Sequence, residues 1–176
     1  MLLVDVTQNL EGWEHKASER VYRSMKRRKV QVVGPEAFRP TSVMEFASLL
    51  EGQGDYNCLL VMGQGQGEGV EERSTLKVYL DPMLEKQRGA PLALVAVWTC
   101  GRSDPELRRK VIHAKDLAPI ALASESDLGP HEGFVFFSRF FEELDLHCPQ
   151  AITPAMARFA YLKTRHFSKG KIEIRL

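Results

Sequence analysis

Two sets of residues in this chain have the chemistry for a reactive site. One is Cys100, which ends an apolar run and is followed by Gly101; the other is Gln64 and Gln66, interleaved with Gly63, Gly65, Gly67 and Gly69. A thiol at a strand-to-helix turn lies beside a helix N-terminus, where its thiolate is stabilised. As a nucleophile it also needs a base within hydrogen-bond reach. The glycine loop of a neighbouring strand is the natural donor of that base, yet a glutamine amide takes up no proton at neutral pH. The pair is therefore a nucleophile without its base. His131 follows the fifth apolar run and is the histidine placed to reach the same edge, whereas His113, late in a helical pattern, falls on the far side. Glu125 and Asp127 either line a pocket for a basic side chain or act as turn and cap residues. Cys58, inside an apolar strand, reads as a structural thiol.

Other chemistries are a poor match. A dinucleotide fingerprint needs Gly-x-Gly-x-x-Gly opening a helix after the first strand, and this loop has neither the spacing nor the strand. A P-loop needs Gly-Lys-Ser/Thr, which is absent from the glycine loop. The five histidines show no metal-ligand spacing, and Cys58, Cys100 and Cys148 form neither a Cys-x-x-Cys pair nor an even disulfide framework. No metal and no cofactor are expected. Net charge is +1, so nothing draws the chain in bulk to nucleic acid or to an anionic membrane. The basic run Lys26-Arg27-Arg28-Lys29 reads as a solvated helix end. The opening residues are too short for a signal segment, and no run approaches the ~20 apolar residues of a membrane helix. A reduced, cytoplasmic setting with a protein or peptide partner is the expectation.

What must position these residues is an alternation of short apolar runs with stretches of helical period, which predicts β-α-β units and a mostly parallel sheet. The strands are predicted at 2–6, 30–33, 57–62, 92–98 and 117–122, with a sixth, edge strand at 171–175. Helices are predicted at 14–26, from Thr41 to 50, at 76–86, from Pro105, at 132–144 and at 154–167. The third strand is nearly continuous in apolar residues, as a strand buried on both faces would be. Phe134, Phe136, Phe137, Phe140 and Phe141 crowd one helix and read as core. At 176 residues, with no repeat or linker, the chain is predicted to form a single α/β domain over 1–176, a three-layer α/β/α sandwich around a six-stranded sheet. In such sheets ligands bind outside the carboxyl ends of the strands, where the loops after the third, fourth and fifth strands converge.

Leu59-Leu60-Val61-Met62-Gly63-Gln64-Gly65 resembles the apolar strand plus Gly/Ser-His-Gly of caspase-like peptidases, and within that clan the bacterial CHAT domains. Leu94-Val95-Ala96-Val97-Trp98-Thr99-Cys100-Gly101 is similar to the family's second block, an apolar strand ending in Ala-Cys followed by small residues. Leu117 to Ser124 resembles the strand before the specificity loop, and Phe136 to Leu144 the Phe-rich helix after it. The resemblance implies a Cys-His dyad that cleaves peptide bonds, with backbone amides near the cysteine stabilising the oxyanion. Cys100 matches the nucleophile, and Gln64 or Gln66 stands where the histidine belongs.

Three readings follow. The first is a caspase-like domain with impaired peptidase chemistry, acting as a protein-interaction or regulatory module. The second is an active cysteine peptidase or acyl-transfer enzyme using Cys100, with His131 as base. The third is a flavodoxin-like or receiver-like domain whose glycine loop holds a small anion; a receiver wants clustered acids at the end of the first strand, where Asp5 stands alone.

Overall fold

A computed structural model describes residues 1–5, 13–27, 44–46, 48, 57–64, 80, 92–100, 105–124, 128–144 and 152–176. Among these, five strands form one sheet: β1 (Leu2–Asp5), β2 (Cys58–Gln64), β3 (Leu94–Cys100), β4 (Ile120–Ser124) and β5 (Ile172–Arg175), lying in that order. The first four are parallel and β5 is antiparallel to β4. The chain is therefore α/β with a mostly parallel sheet, and 171–175 supplies the edge strand its pattern predicts. The predicted strand at 30–33 lies outside the described residues.

Side chains of a strand point alternately to its two faces, and here both faces are apolar. Leu3, Cys58, Leu60, Met62, Leu94, Ala96, Trp98, Ile120 and Leu122 belong to one buried cluster. Val4, Leu59, Val61, Val95, Val97, Ala121 and Ala123 belong to another. Double burial is why β2 and β3 read as unbroken apolar runs rather than alternating ones.

The first cluster is closed by α1 (Trp13–Arg27), α3 (Pro130–Glu143) and α4 (Pro154–Thr164). Ala17, Val21 and Met25 of α1 recur at four-residue spacing and are all buried. Phe136, Phe137, Phe140 and Phe141 of α3 are fully buried and meet edge-to-face and stacked, with centroids 5.1 to 6.5 Å apart. Removing each from water is worth about 1.5–3 kcal/mol, so the aromatic crowding is core. The second cluster is covered by α2 (Pro105–His113), through Leu107, Val111 and Ile112, and by Phe46 and Leu80.

Strand ends differ from those the apolar runs predict, and pairing explains each shift. β2 and β3 run to Gln64 and Cys100, two residues past the predicted ends, because each supplies the other's ladder partners there. β3 starts at Leu94, since the Leu92 and Ala93 amides donate instead to Leu117 O (2.9 Å) and Asn57 O (2.7 Å). β4 starts at Ile120 rather than 117: residues 115–117 form a turn after α2, and Pro119 has no N–H for a ladder. The last helix ends at Thr164 and continues as a 3-10 turn over Arg165–Ser168.

Candidate functional site

The carboxyl ends of the four parallel strands make one rim, formed by Asp5, Gln64, Cys100 and Ser124. Across β2 and β3 the register pairs Met62 with Trp98, Gly63 with Thr99 and Gln64 with Cys100. Neighbouring strands lie about 4.8 Å apart, so an amide-bearing residue and a thiol-bearing one share the final rung. The structure corrects two placements. Cys100 is the last residue of a strand rather than part of a turn, and α2 begins five positions later at Pro105, where the sequence pattern starts it. Gly63 is a buried strand residue rather than part of a loop, because pairing with Thr99 carries the ladder past Met62. Gln66, Gly65, Gly67, Gly101, Glu125 and Asp127 lie outside the described residues.

The two sides of β3 end differently. Toward β2 the ladder reaches Cys100, but toward β4 it stops at Val97 opposite Ala123. There a side chain takes over: Thr99 N donates to Ser124 Oγ at 3.1 Å, and the Ser124 hydroxyl donates to Val97 O at 3.5 Å. Ser124 is buried and also pairs with Ile172 through its backbone. It thus satisfies an amide that the splaying of β3 from β4 would otherwise leave without an acceptor. The sequence signal for this residue is a hydroxyl at the end of a fully apolar strand.

Trp98, two residues before Cys100, fixes the element beyond. A Cβ built on Gly133 would fall inside the Trp98 indole, so only glycine lets the first turns of α3 lie this close to β3. The indole also packs on Phe137, with centroids 5.5 Å apart, and its buried Nε1 has no hydrogen-bond partner among the described residues. His131 stands exposed on the first turn of this helix, so β3 and the His131 turn are coupled through the Trp98–Gly133 contact. A glycine within an aromatic helix is the signal that marks such an approach. His113 ends α2, and the turn after it hydrogen-bonds to Leu92 ahead of β3, which puts it at the opposite edge from Cys100, as its position in the helical pattern predicts.

Glu132 anchors the start of α3. Its carboxylate accepts from Gly129 N at 3.4 Å and pairs with Lys169 Nζ at 2.8 Å and Lys171 Nζ at 3.1 Å. Hydrogen bonds from Lys169 and then Lys171 hold the carboxyl down at about 2. Cys58 is fully buried in β2, and burial pushes its thiol up to about 12, in keeping with a structural cysteine. A surface cavity of about 540 Å³ runs along α2 beside Arg108, Arg109, His113 and Glu173 of β5, on the far side of β4 from Cys100.

A carboxamide takes up no proton at neutral pH, so Gln64 contributes no general base to this rung. No helix among the described residues is long and apolar enough to cross a membrane. No protein-family model matches the chain, and no curated protein is significantly similar to it.

Proposed function

We propose that this chain is a caspase-like domain with impaired peptidase chemistry, whose carboxyl edge serves as a protein-interaction or regulatory surface. The observation that carries the reading is the register of Gln64 with Cys100 on the last shared rung of two parallel strands. Gln64 is thus the backbone neighbour of Cys100, and in the resemblance Gln64 or Gln66 takes the place of the peptidase's histidine. Loss of the base from such a pair lowers the rate by orders of magnitude.

The path of the chain supports a six-stranded, three-layer form of the fold. Crossovers between parallel strands are right-handed in nearly all cases. On stepping from β3 to β4 the connection, α2, covers the second cluster, whereas α1, which follows β1, covers the first. Opposite faces mean opposite directions of travel, and a sixth strand beyond β1 is the proposal that accommodates them. Helical Phe46, which precedes β2 in the chain, packs on the second cluster. Direction reverses beside β1, so the crevice at this switch point opens next to Gln64.

The test is turnover of a peptide library by purified protein. No turnover is expected. Cleavage that disappears in Cys100→Ala would overturn the proposal in favour of a second reading, an active peptidase using Cys100 and His131. One observation favours that alternative: the turn bearing His131 is held against Trp98, two residues from Cys100.

A further inference from the structure

The outer face of α4 is the most unusual surface of the described structure. Ala157, Ala160 and Thr164 are buried and Met156 and Tyr161 pack on the first cluster, so this side is accounted for. The opposite side is also apolar. Phe159 and Leu162 are 54% and 50% exposed, and with exposed Ala155 they recur at spacings of four and three, a single stripe along the helix. A helix that is apolar on both sides is normally covered on both.

The rim of the stripe is cationic. Residues 152–171 contain Arg158, Lys163, Arg165, Lys169 and Lys171 and no acidic residue. At about 100° per residue, Arg158 falls on one flank of the stripe and Lys163 on the other. Lys163 Nζ lies 4.7 Å from the centre of the Phe159 ring and pairs with Glu143 at 3.1 Å. Lys169 and Lys171 are held by Glu132, while Arg158 and Arg165 meet no carboxylate among the described residues. Two exposed apolar anchors bordered on one flank by Arg158 and Arg165 are complementary to an amphipathic helix with an acidic flank on that side.

We propose that this face of α4 docks an acidic amphipathic helix of a partner protein. A second copy of the chain is a poor occupant, because a two-fold interface sets each patch against itself and would bring Arg158 and Arg165 toward their own counterparts. A membrane surface is a poor one as well: two apolar side chains make little insertion area, and no strong net charge assists it. This surface is independent of the carboxyl rim, so the proposal stands whether or not the reading of Gln64 and Cys100 survives.

The test is fluorescence anisotropy with a labelled synthetic 20-residue helical peptide, leucine at i, i+3 and i+7 flanked by glutamate. Binding is expected to weaken about tenfold or more in Phe159→Ser/Leu162→Ser. It should weaken severalfold in Arg158→Glu and fall with added salt. All three side chains are exposed, so circular dichroism melts should match wild type. No binding, or equal binding by the variants, overturns the proposal. So does a concentration-dependent dimer in sedimentation that Leu162→Ser abolishes, or co-sedimentation with phosphatidylserine vesicles lost in the same variant.

Discussion

Gln64 and Cys100 share the last rung of the β2–β3 ladder, while β4 has already left β3 at Ala123. Among the described residues, Cys100 is paired through its backbone with β2, and Ser124 is the last residue of β4 on its other side.

Thiol reactivity separates the two readings of Cys100. Burial holds the Cys58 thiol at about 12, so at neutral pH its thiolate fraction is roughly one in a hundred thousand. Iodoacetamide should leave Cys58 unmodified until the protein is unfolded, and should label Cys100 no faster than it labels glutathione. Gln64→His puts an imidazole across the rung, and Cys100 labelling is expected to rise about tenfold or more with a pH profile near 6.5. Fast labelling of the wild type would instead point to a base already in place.

Ser124→Ala removes the acceptor of the buried Thr99 amide. An unsatisfied buried donor costs about 1–3 kcal/mol, and the loss should be visible as a lower urea midpoint. Hydrogen exchange locates it: the Thr99 amide should exchange faster in the variant, while Val95 and Val97, inside the ladder, keep wild-type protection. Uniform loss of protection along β3 would contradict this local role.

The parallel sheet and its helices were legible because period-2 and period-3.6 signals are strong wherever a face is buried: Ala17, Val21 and Met25 mark α1, and the phenylalanines mark α3. The ends were not, because they are set by partners far away in the chain. Nothing in Gly63-Gln64 announces that Thr99 and Cys100 will extend the ladder to meet them, and only Pro119 hints that β4 begins late. Within the site, Cys100 and the glutamines stood out by residue type. Ser124 and Gly133 did not, since a hydroxyl replacing a ladder bond and a glycine under an indole acquire their meaning only through the contact.

Glu132 links the start of α3 to Lys169 and Lys171 near β5, and its carboxyl is lowered from 4.5 to about 2 in the folded state. A depressed carboxyl stabilises the fold above the unfolded-state value, and that contribution is lost as pH falls through the folded one. The advantage of wild type over Glu132→Gln should thus be complete above about pH 5 and shrink between pH 4.5 and 2. Thermal melts of both proteins across that range, at low salt, provide the comparison. Because Lys169 is largely exposed and Glu132 and Lys171 are partly so, added salt should narrow the gap. A gap that widens on acidification would show that the ion pairs are not its source.

The contact of Gly133 with Trp98 yields the sharpest prediction. Any Cβ at 133 must occupy the space of the indole ring, and Trp98 is fully buried between β3 and α3, so it has no room to retreat. Gly133→Ala would gain roughly 1 kcal/mol of helix propensity at an exposed site. Here overpacking should outweigh that gain, lowering stability by about 1–3 kcal/mol net. The damage has a defined partner, so it should be non-additive. Trp98→Phe, which replaces the two-ring indole by a single smaller ring, should destabilise the wild type by leaving a cavity. In the Gly133→Ala background it should cost much less, or restore stability. Urea unfolding of the four proteins in this cycle measures the coupling directly. A coupling near zero would mean that α3 shifts freely away from β3, and that the turn carrying His131 is not tied to the strand that ends in Cys100.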